Sequence, residues 1–270
     1  MVRTMVTTTS MMNCDPSPEA NEVKNFLAEY AAILLGCGAT CIRIEKNLRR
    51  MAEAFGMYVG TTIMPTYILL SIRTRNEAFS YCSIERPKKG GINFNLNTQL
   101  SKLSWEVADG KLTFCEARQR LDEIAHSPHA NRWVVLLLVA LANASFCRLF
   151  GGDGKSMAVV FVATLCGFLL RQEMLRHSID LRFVVFCSAF LSSVIGATGH
   201  IFDWGATPDV ALATSVLYLI PGVPYINAVS DMLDGHYICS FSRFMNAVIL
   251  TFCLSLGLCC GLLVMEQSWF

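Results

Sequence analysis

The feature that most constrains this chain is the near absence of charge from its second half. Of 22 Lys and Arg residues, 16 lie at or before Arg132, and of 21 Asp and Glu residues, 13 lie there too. Beyond Arg132 the sequence is a succession of apolar runs, as a bilayer demands. The whole chain is 53% hydrophobic and 16% charged, with a mean hydropathy of +0.45, whereas a soluble domain is about a quarter charged. The reading is an integral membrane protein, mainly α, with a cytoplasmic α+β N-terminal domain followed by about five transmembrane helices. Domain boundaries are expected at 1–20, 21–130 and 131–270. The first stretch is a polar, disordered tail without the apolar segment of a secretory signal.

In the N-terminal domain, Leu27, Tyr30, Leu34, Cys41, Ile44, Leu48, Met51 and Phe55 recur at helical spacing. They predict one amphipathic helix over Asn21–Phe55, kinked at Gly36 and Gly38. Tyr58–Arg73 and Glu77–Glu85 read as two strands with a hairpin turn at Arg75–Asn76, followed by a loop at Pro87–Gly91. Asn97–Ala108 and Thr113–Ala125 read as helices, with Thr113 and Glu116 spaced as a capping box. The segment from His126 to Asn131, containing Pro128, is the link to the membrane.

Five apolar segments follow: Trp133–Phe150, a short Ser156–Leu170 bounded by Lys155 and Arg171, Phe183–Phe202, Val210–Tyr225 and Phe244–Met265. Arg171, Arg176 and Arg182 fall between the second and third, and Arg243 just before the fifth. The loop around Asp203–Gly205 carries no Lys or Arg. Positive loops stay inside, so the N-terminus is expected in the cytoplasm and the C-terminus outside.

Pro221-Gly222-Val223-Pro224 interrupts the fourth segment. Two prolines in a helix remove two backbone donors and leave the carbonyls of Leu217 and Ile220 without helical partners. Irregular backbone at membrane depth is tolerated where it is buried in protein or lines a cavity, and broken helices build substrate and ion sites in transporters. The competing reading is a helix that ends at the membrane surface. Asn227 and Asp231 follow on one helix face, with Asp234 three residues on. An acid beside a membrane segment is a functional candidate, unless the helix has already left the bilayer. Asn143, Arg148, His200 and Asn246 are further polar residues in or near the apolar spans, and such residues serve helix packing more often than ligands. The substrate or ion pathway is therefore expected among Pro221, Gly222, Pro224, Asn227, Asp231, Asn143 and His200.

Nucleophilic or metal chemistry lacks a frame. His200, Asp203 and nearby serines have suitable side chains, but no Gly-x-Ser-x-Gly, His-Glu-x-x-His or Walker loop surrounds them. Cys147, Cys166, Cys187, Cys253, Cys259 and Cys260 sit in apolar runs, where cysteine packs as a small hydrophobe, and Cys37 and Cys41 lack zinc-site spacing. No metal, no cofactor and no enzymatic activity are expected. A net charge near +1 gives no sign of a nucleic-acid partner, which needs a concentrated basic face, and none is expected.

Taken in order, several stretches resemble the threonine/serine exporter family: Gly38-Ala39 with Arg43 and Glu45; Pro65-Thr66 in a strand; Leu103, Gly110, Glu116, Ala117 and Leu121; Leu149-Phe150-Gly151-Gly152; and Pro221-Gly222-Val223-Pro224 with Asn227, Asp231 and Gly235. The match runs from about Asn21 to Met265. The resemblance implies a cytoplasmic domain carrying the Gly38, Arg43 and Glu45 motif and an ion-gradient-driven exporter in a bacterial inner membrane. It also implies the split, two-component form, in which a separate smaller membrane subunit completes the transporter, with or without homo-oligomerisation. Threonine or serine is the leading expected cargo, with a succinate-like dicarboxylate as the alternative. A membrane-anchored scaffold or signalling protein and a membrane-bound hydrolase are the readings from other classes.

Overall fold

The computed structural model describes residues 20–74, 80–87, 91–127, 130–201 and 205–265. They fall into two compact units. The first contains the described residues up to Ser127 together with Ser230–Cys239, and the second contains those from 130 to Val229 and from Ser240 onward. The expected tail at 1–20 lies outside the described residues except for its last position, as do the Arg75–Asn76 turn, most of the Pro87–Gly91 loop, and Pro128.

The first unit opens with α1 (Ala20–Gly36) and α2 (Cys41–Ala54). Two helices replace the single kinked helix expected from periodicity. The chain turns over between them, with Gly38 at φ +86° and the Ala39 amide bonded back to the Leu34 carbonyl at 3.2 Å. A side chain at Gly38 would face that backbone strain and also press on Ile92, 3.1 Å from where its Cβ would stand. The hydrophobic period continues across the turn because both helices bury their faces in one core.

A three-stranded antiparallel sheet follows in the order β1 (Met57–Ile63), β2 (Ile68–Thr74) and β3 (Ser80–Glu85). The first expected strand is therefore a hairpin in itself, pairing Met57 with Thr74 and Ile63 with Ile68. Pro65-Thr66 lies in its turn and not in a strand, closed by the Met64 amide on the Tyr67 carbonyl at 2.9 Å. Strand-forming residues on both sides masked a proline that fixes φ and cannot donate to a ladder. Ile68, Leu70 and Ile72 point from one face of β2 into the core. Helices α3 (Phe94–Ala108) and α4 (Phe114–Ala125) complete the unit. Helix α3 starts a turn earlier than its apolar pattern suggests, because Asn93 caps it by accepting from the Leu96 amide at 3.0 Å. Thr113 and Glu116 form the expected capping box on α4. Phe26, Phe55 and Phe114 meet edge to face, with centroids 5.6–6.2 Å apart. Buried Tyr30 donates to the Leu100 carbonyl and accepts from Asn47, which ties α1, α2 and α3 together. Burial pushes its phenol well above the usual tyrosine range.

The second unit is a helical bundle of α5 (Arg132–Leu149), α6 (Gly154–Arg176), α7 (Leu181–Ile201), α8 (Pro208–Ser215), a 3₁₀ turn at Leu217–Leu219, and the greater parts of α9 (Gly222–Leu233) and α10 (Tyr237–Val264). Among the described residues four helices are long and apolar enough to cross a bilayer, and α8 with α9, bent by 58° at their break, makes up to five. The second segment is not short. Its 23 residues extend through Arg171, at about 1.5 Å each long enough for a full span.

Close helix approach rests on glycine. A side chain at Gly257 of α10 would strike the Phe186 carbonyl and stand 2.9 Å from Ala189 Cβ on α7, and one at Gly261 would strike Ser193. This Gly-x-x-x-Gly pair lets two backbones meet where lipid supplies no hydrophobic drive. At one end of the bundle, Asp153 accepts from the Ser156 amide at 2.9 Å, the Thr207 hydroxyl at 3.1 Å and the Ala206 amide at 3.3 Å, and so joins the start of α6 to the loop before α8. Hydrogen bonds from Ser156 foremost hold its carboxyl well below the usual aspartate range.

Two outcomes follow. Gly257→Leu is expected to abolish monodisperse protein in detergent, read by fluorescence-detected size exclusion, while a change at exposed neighbouring Leu256 leaves it intact. Because the folded Asp153 carboxyl is depressed, its stabilisation is complete above the ordinary aspartate pKa of about 4 and is lost as pH falls below it. Thermal unfolding between neutral and acid pH should show Asp153→Asn losing part of the wild type's pH dependence.

Candidate functional site

The interior of the bundle carries a row of polar groups on otherwise apolar helices. Asn143 of α5 is buried and donates to Thr164 Oγ1 of α6 at 2.6 Å and to the Thr214 carbonyl of α8 at 3.0 Å. Thr164 and Thr214 are buried with it. Nearer the other end, Ser192 of α7 bonds the Ala163 carbonyl at 3.2 Å and the Tyr218 hydroxyl at 2.9 Å. A serine has one hydroxyl hydrogen. If it goes to Ala163, the hydrogen between Ser192 and Tyr218 belongs to Tyr218. Gly167 makes room for this pair, since a methyl there would collide with both hydroxyls. Among the described residues, the Ser188 hydroxyl, one turn from Ser192, is buried with no hydrogen-bond partner, as is Nε of Arg171, one turn beyond Gly167 on α6.

The break between α8 and α9 is well satisfied. The Leu217 carbonyl accepts from the Ile220 amide at 3.2 Å, the Ile220 carbonyl from the Gly222 amide at 2.9 Å, and the Pro221 carbonyl from the Tyr225 amide at 3.3 Å. The two carbonyls expected to stand open thus already hold local bonds. Pro224 is the third residue of α9, where a helix has no internal use for an amide hydrogen. Pro221 is buried, Gly222, Pro224 and Asn227 are half-buried, and Asn246 is exposed. His200 lies in α7, and its side chain falls outside the described residues.

Asp231, one turn beyond Asn227, belongs to the first unit. It is fully buried and accepts a hydrogen bond from the Cys41 amide at 2.8 Å. Cys41 opens α2, and the adjoining Thr40 makes no side-chain capping bond. A carboxylate from 190 residues along the chain therefore caps this helix, where exposed amides and the helix dipole favour an anion. Two further contacts hold the same segment: Cys239 Sγ on the Ile63 carbonyl at 3.2 Å, and His236 Nε2 at 3.5 Å from Glu45 Oε1, an ion pair when the histidine is protonated. Arg43 donates to Asn97 at 3.2 Å. Gly38, Arg43, Glu45 and Asp231 thus gather around the start of α2, while Asn143 belongs to the bundle.

Sequence reasoning missed Thr164, Ser188, Ser192, Tyr218 and Arg171. Ser188 and Ser192 stand four apart in an apolar run, a one-face signal that was available. That Tyr218 meets them is a tertiary fact. Among the described residues no group of His, Cys, Asp or Glu is arranged to hold a metal.

The profile of the family described as "Putative threonine/serine exporter" matches residues 25–265. The chain belongs to this family. Among its curated relatives, the "Probable succinate transporter subunit YjjP" of Klebsiella aerogenes is 29% identical over 260 residues, covering 96% of this chain and 98% of that one. The Escherichia coli protein of the same description is 28% identical, covering 92% and 94%. A "Probable threonine/serine exporter" of Mycobacterium tuberculosis is 22% identical over 90% of this chain and 45% of its own length. No solved structure matches. Membership in the exporter family makes this chain a multi-pass membrane transport protein.

Asp231→Ala should cost about 1–2 kcal/mol through the lost cap and speed hydrogen–deuterium exchange at the first amides of α2, whereas Asp231→Asn, which keeps an acceptor, should lie between it and wild type.

Proposed function

We propose that this chain is the larger subunit of a two-component, ion-gradient-driven exporter of small dicarboxylates such as succinate. The observation that carries the reading is the end-to-end correspondence with proteins described as probable succinate transporter subunits, at 96% of this chain and 98% of the Klebsiella protein. Threonine or serine, the first expectation from sequence, is the weaker cargo. The Mycobacterium exporter bearing that description is matched over only 45% of its length, so more than half of that protein lies outside the match. A separate, smaller membrane subunit takes that place in the proposed assembly. Four or five crossings also make a thin wall for an aqueous path, which favours an oligomer.

The proposed setting is a bacterial inner membrane with the N-terminus cytoplasmic. Arg132, Arg171, Arg176 and Arg182 crowd one end of the bundle, at the start of α5, the end of α6 and the start of α7, and such ends face the cytoplasm. The buried row of Asn143, Thr164, Thr214, Ser192 and Tyr218 is the proposed polar lining. Pro221, Gly222 and Pro224 supply a bend with satisfied backbone, suited to a hinge.

Cells loaded with labelled succinate, threonine and serine, expressing this chain with and without its companion subunit, test the reading. Succinate efflux is expected only when both are present. Efflux of threonine or serine alone would reverse the cargo assignment. No efflux of any of the three, with both proteins in the membrane, would turn attention to the scaffold reading.

A further inference from the structure

Arg171 lies five residues before the end of α6 and is half-buried. Its guanidinium lies 5.5 Å above the Phe168 ring, and Phe168 in turn meets Tyr218 edge to face. Of the arginines at the same end, Arg132 also has a buried Nε without an acceptor among the described residues, but its guanidinium has a carboxylate beside it. Arg132 and Arg176 share Glu173, at 3.4 and 3.7 Å, and Arg182 is exposed. Among the described residues Arg171 has no acidic partner, and its Nε is buried without an acceptor. A guanidinium half-buried in an apolar bundle without a counter-charge is costly, and the group that best fits its planar fork is a carboxylate.

The surrounding groups complete such a site. Ser188 has a buried hydroxyl with no partner among the described residues. Ser192 and Tyr218 hold each other at 2.9 Å. Gly167, one turn before Arg171 on the same helix face, brings Ser192, Tyr218 and the Ser188 backbone close to α6. We propose that Arg171, with the Ser188 hydroxyl, binds one carboxylate of the exported dicarboxylate, beside the Ser192–Tyr218 pair. The site specifies a charged oxyanion over a neutral amide, because an amide would leave the guanidinium uncompensated. It deepens the dicarboxylate-exporter reading and rests on it. A lipid headgroup phosphate offers the same chemistry, and the membrane composition in the test separates the two.

The purified complex with its companion subunit, reconstituted in phosphatidylcholine vesicles, is assayed for transport of succinate and of its monoamide, succinamate. Wild type is expected to prefer succinate. Arg171→Gln should lower succinate transport at least about tenfold and erase that preference, and Arg171→Lys should recover part of it. Ser188→Ala, a small change that threatens folding little, should raise the KM for succinate several-fold with kcat retained. Arg182→Gln should behave as wild type. If Arg171→Gln and Ser188→Ala both transport succinate with wild-type KM and preference, the assignment is overturned and the exporter reading stands. The same holds if Arg171 matters only after phosphatidylglycerol is added, since the arginine then serves a headgroup. A wild-type complex that moves threonine or serine but no dicarboxylate overturns the cargo reading and the assignment together.

Discussion

A bilayer offers no water to a backbone amide or carbonyl, so every polar group placed there must be satisfied from within the protein. The bundle is organised by that demand. Its one interruption, between α8 and α9, is closed by short local bonds from Ile220, Gly222 and Tyr225, and its prolines stand where no donor is missed. Thr214, Ser192 and Ser193 each return a hydroxyl to a backbone carbonyl. Against this background, among the described residues, Arg171 Nε and the Ser188 hydroxyl are buried without partners, as are Arg132 Nε and Gln172 Oε1.

The first unit obeys a different rule, the burial of amphipathic faces from water. Two helices, a small sheet and a further helix pair enclose one core, with Tyr30, Asn47 and Arg50 forming its polar cross-links. Its least expected component is the Ser230–Cys239 segment, which the chain contributes only after passing through most of the bundle. Asp231 anchors that segment on the open N-terminus of α2. Part of the chain beyond the α8–α9 bend thus folds within the N-terminal unit.

Much of this was legible in the sequence, for reasons that can be named. The apolar runs after Arg132 announce the membrane because no soluble fold tolerates so little charge over such a length. The Thr113–Glu116 box is local, and it formed as read. Errors fell where a local signal was ambiguous. Helical period alone does not distinguish one kinked helix from α1 and α2, and β-branched residues around Pro65 concealed a turn. Arg171 reads as the boundary of a short second membrane helix, whereas α6 continues past it to Arg176.

What the sequence by itself determined is the class of protein, the rough number of crossings and the family, since each follows from composition or from the order of short motifs. The tertiary structure alone decided which polar residues meet. Asp231 reaches Cys41 across 190 residues, and Asn143 reaches Thr214 across 71. Such pairings depend on helix packing at glycine contacts and on where the chain returns, and no local pattern encodes either.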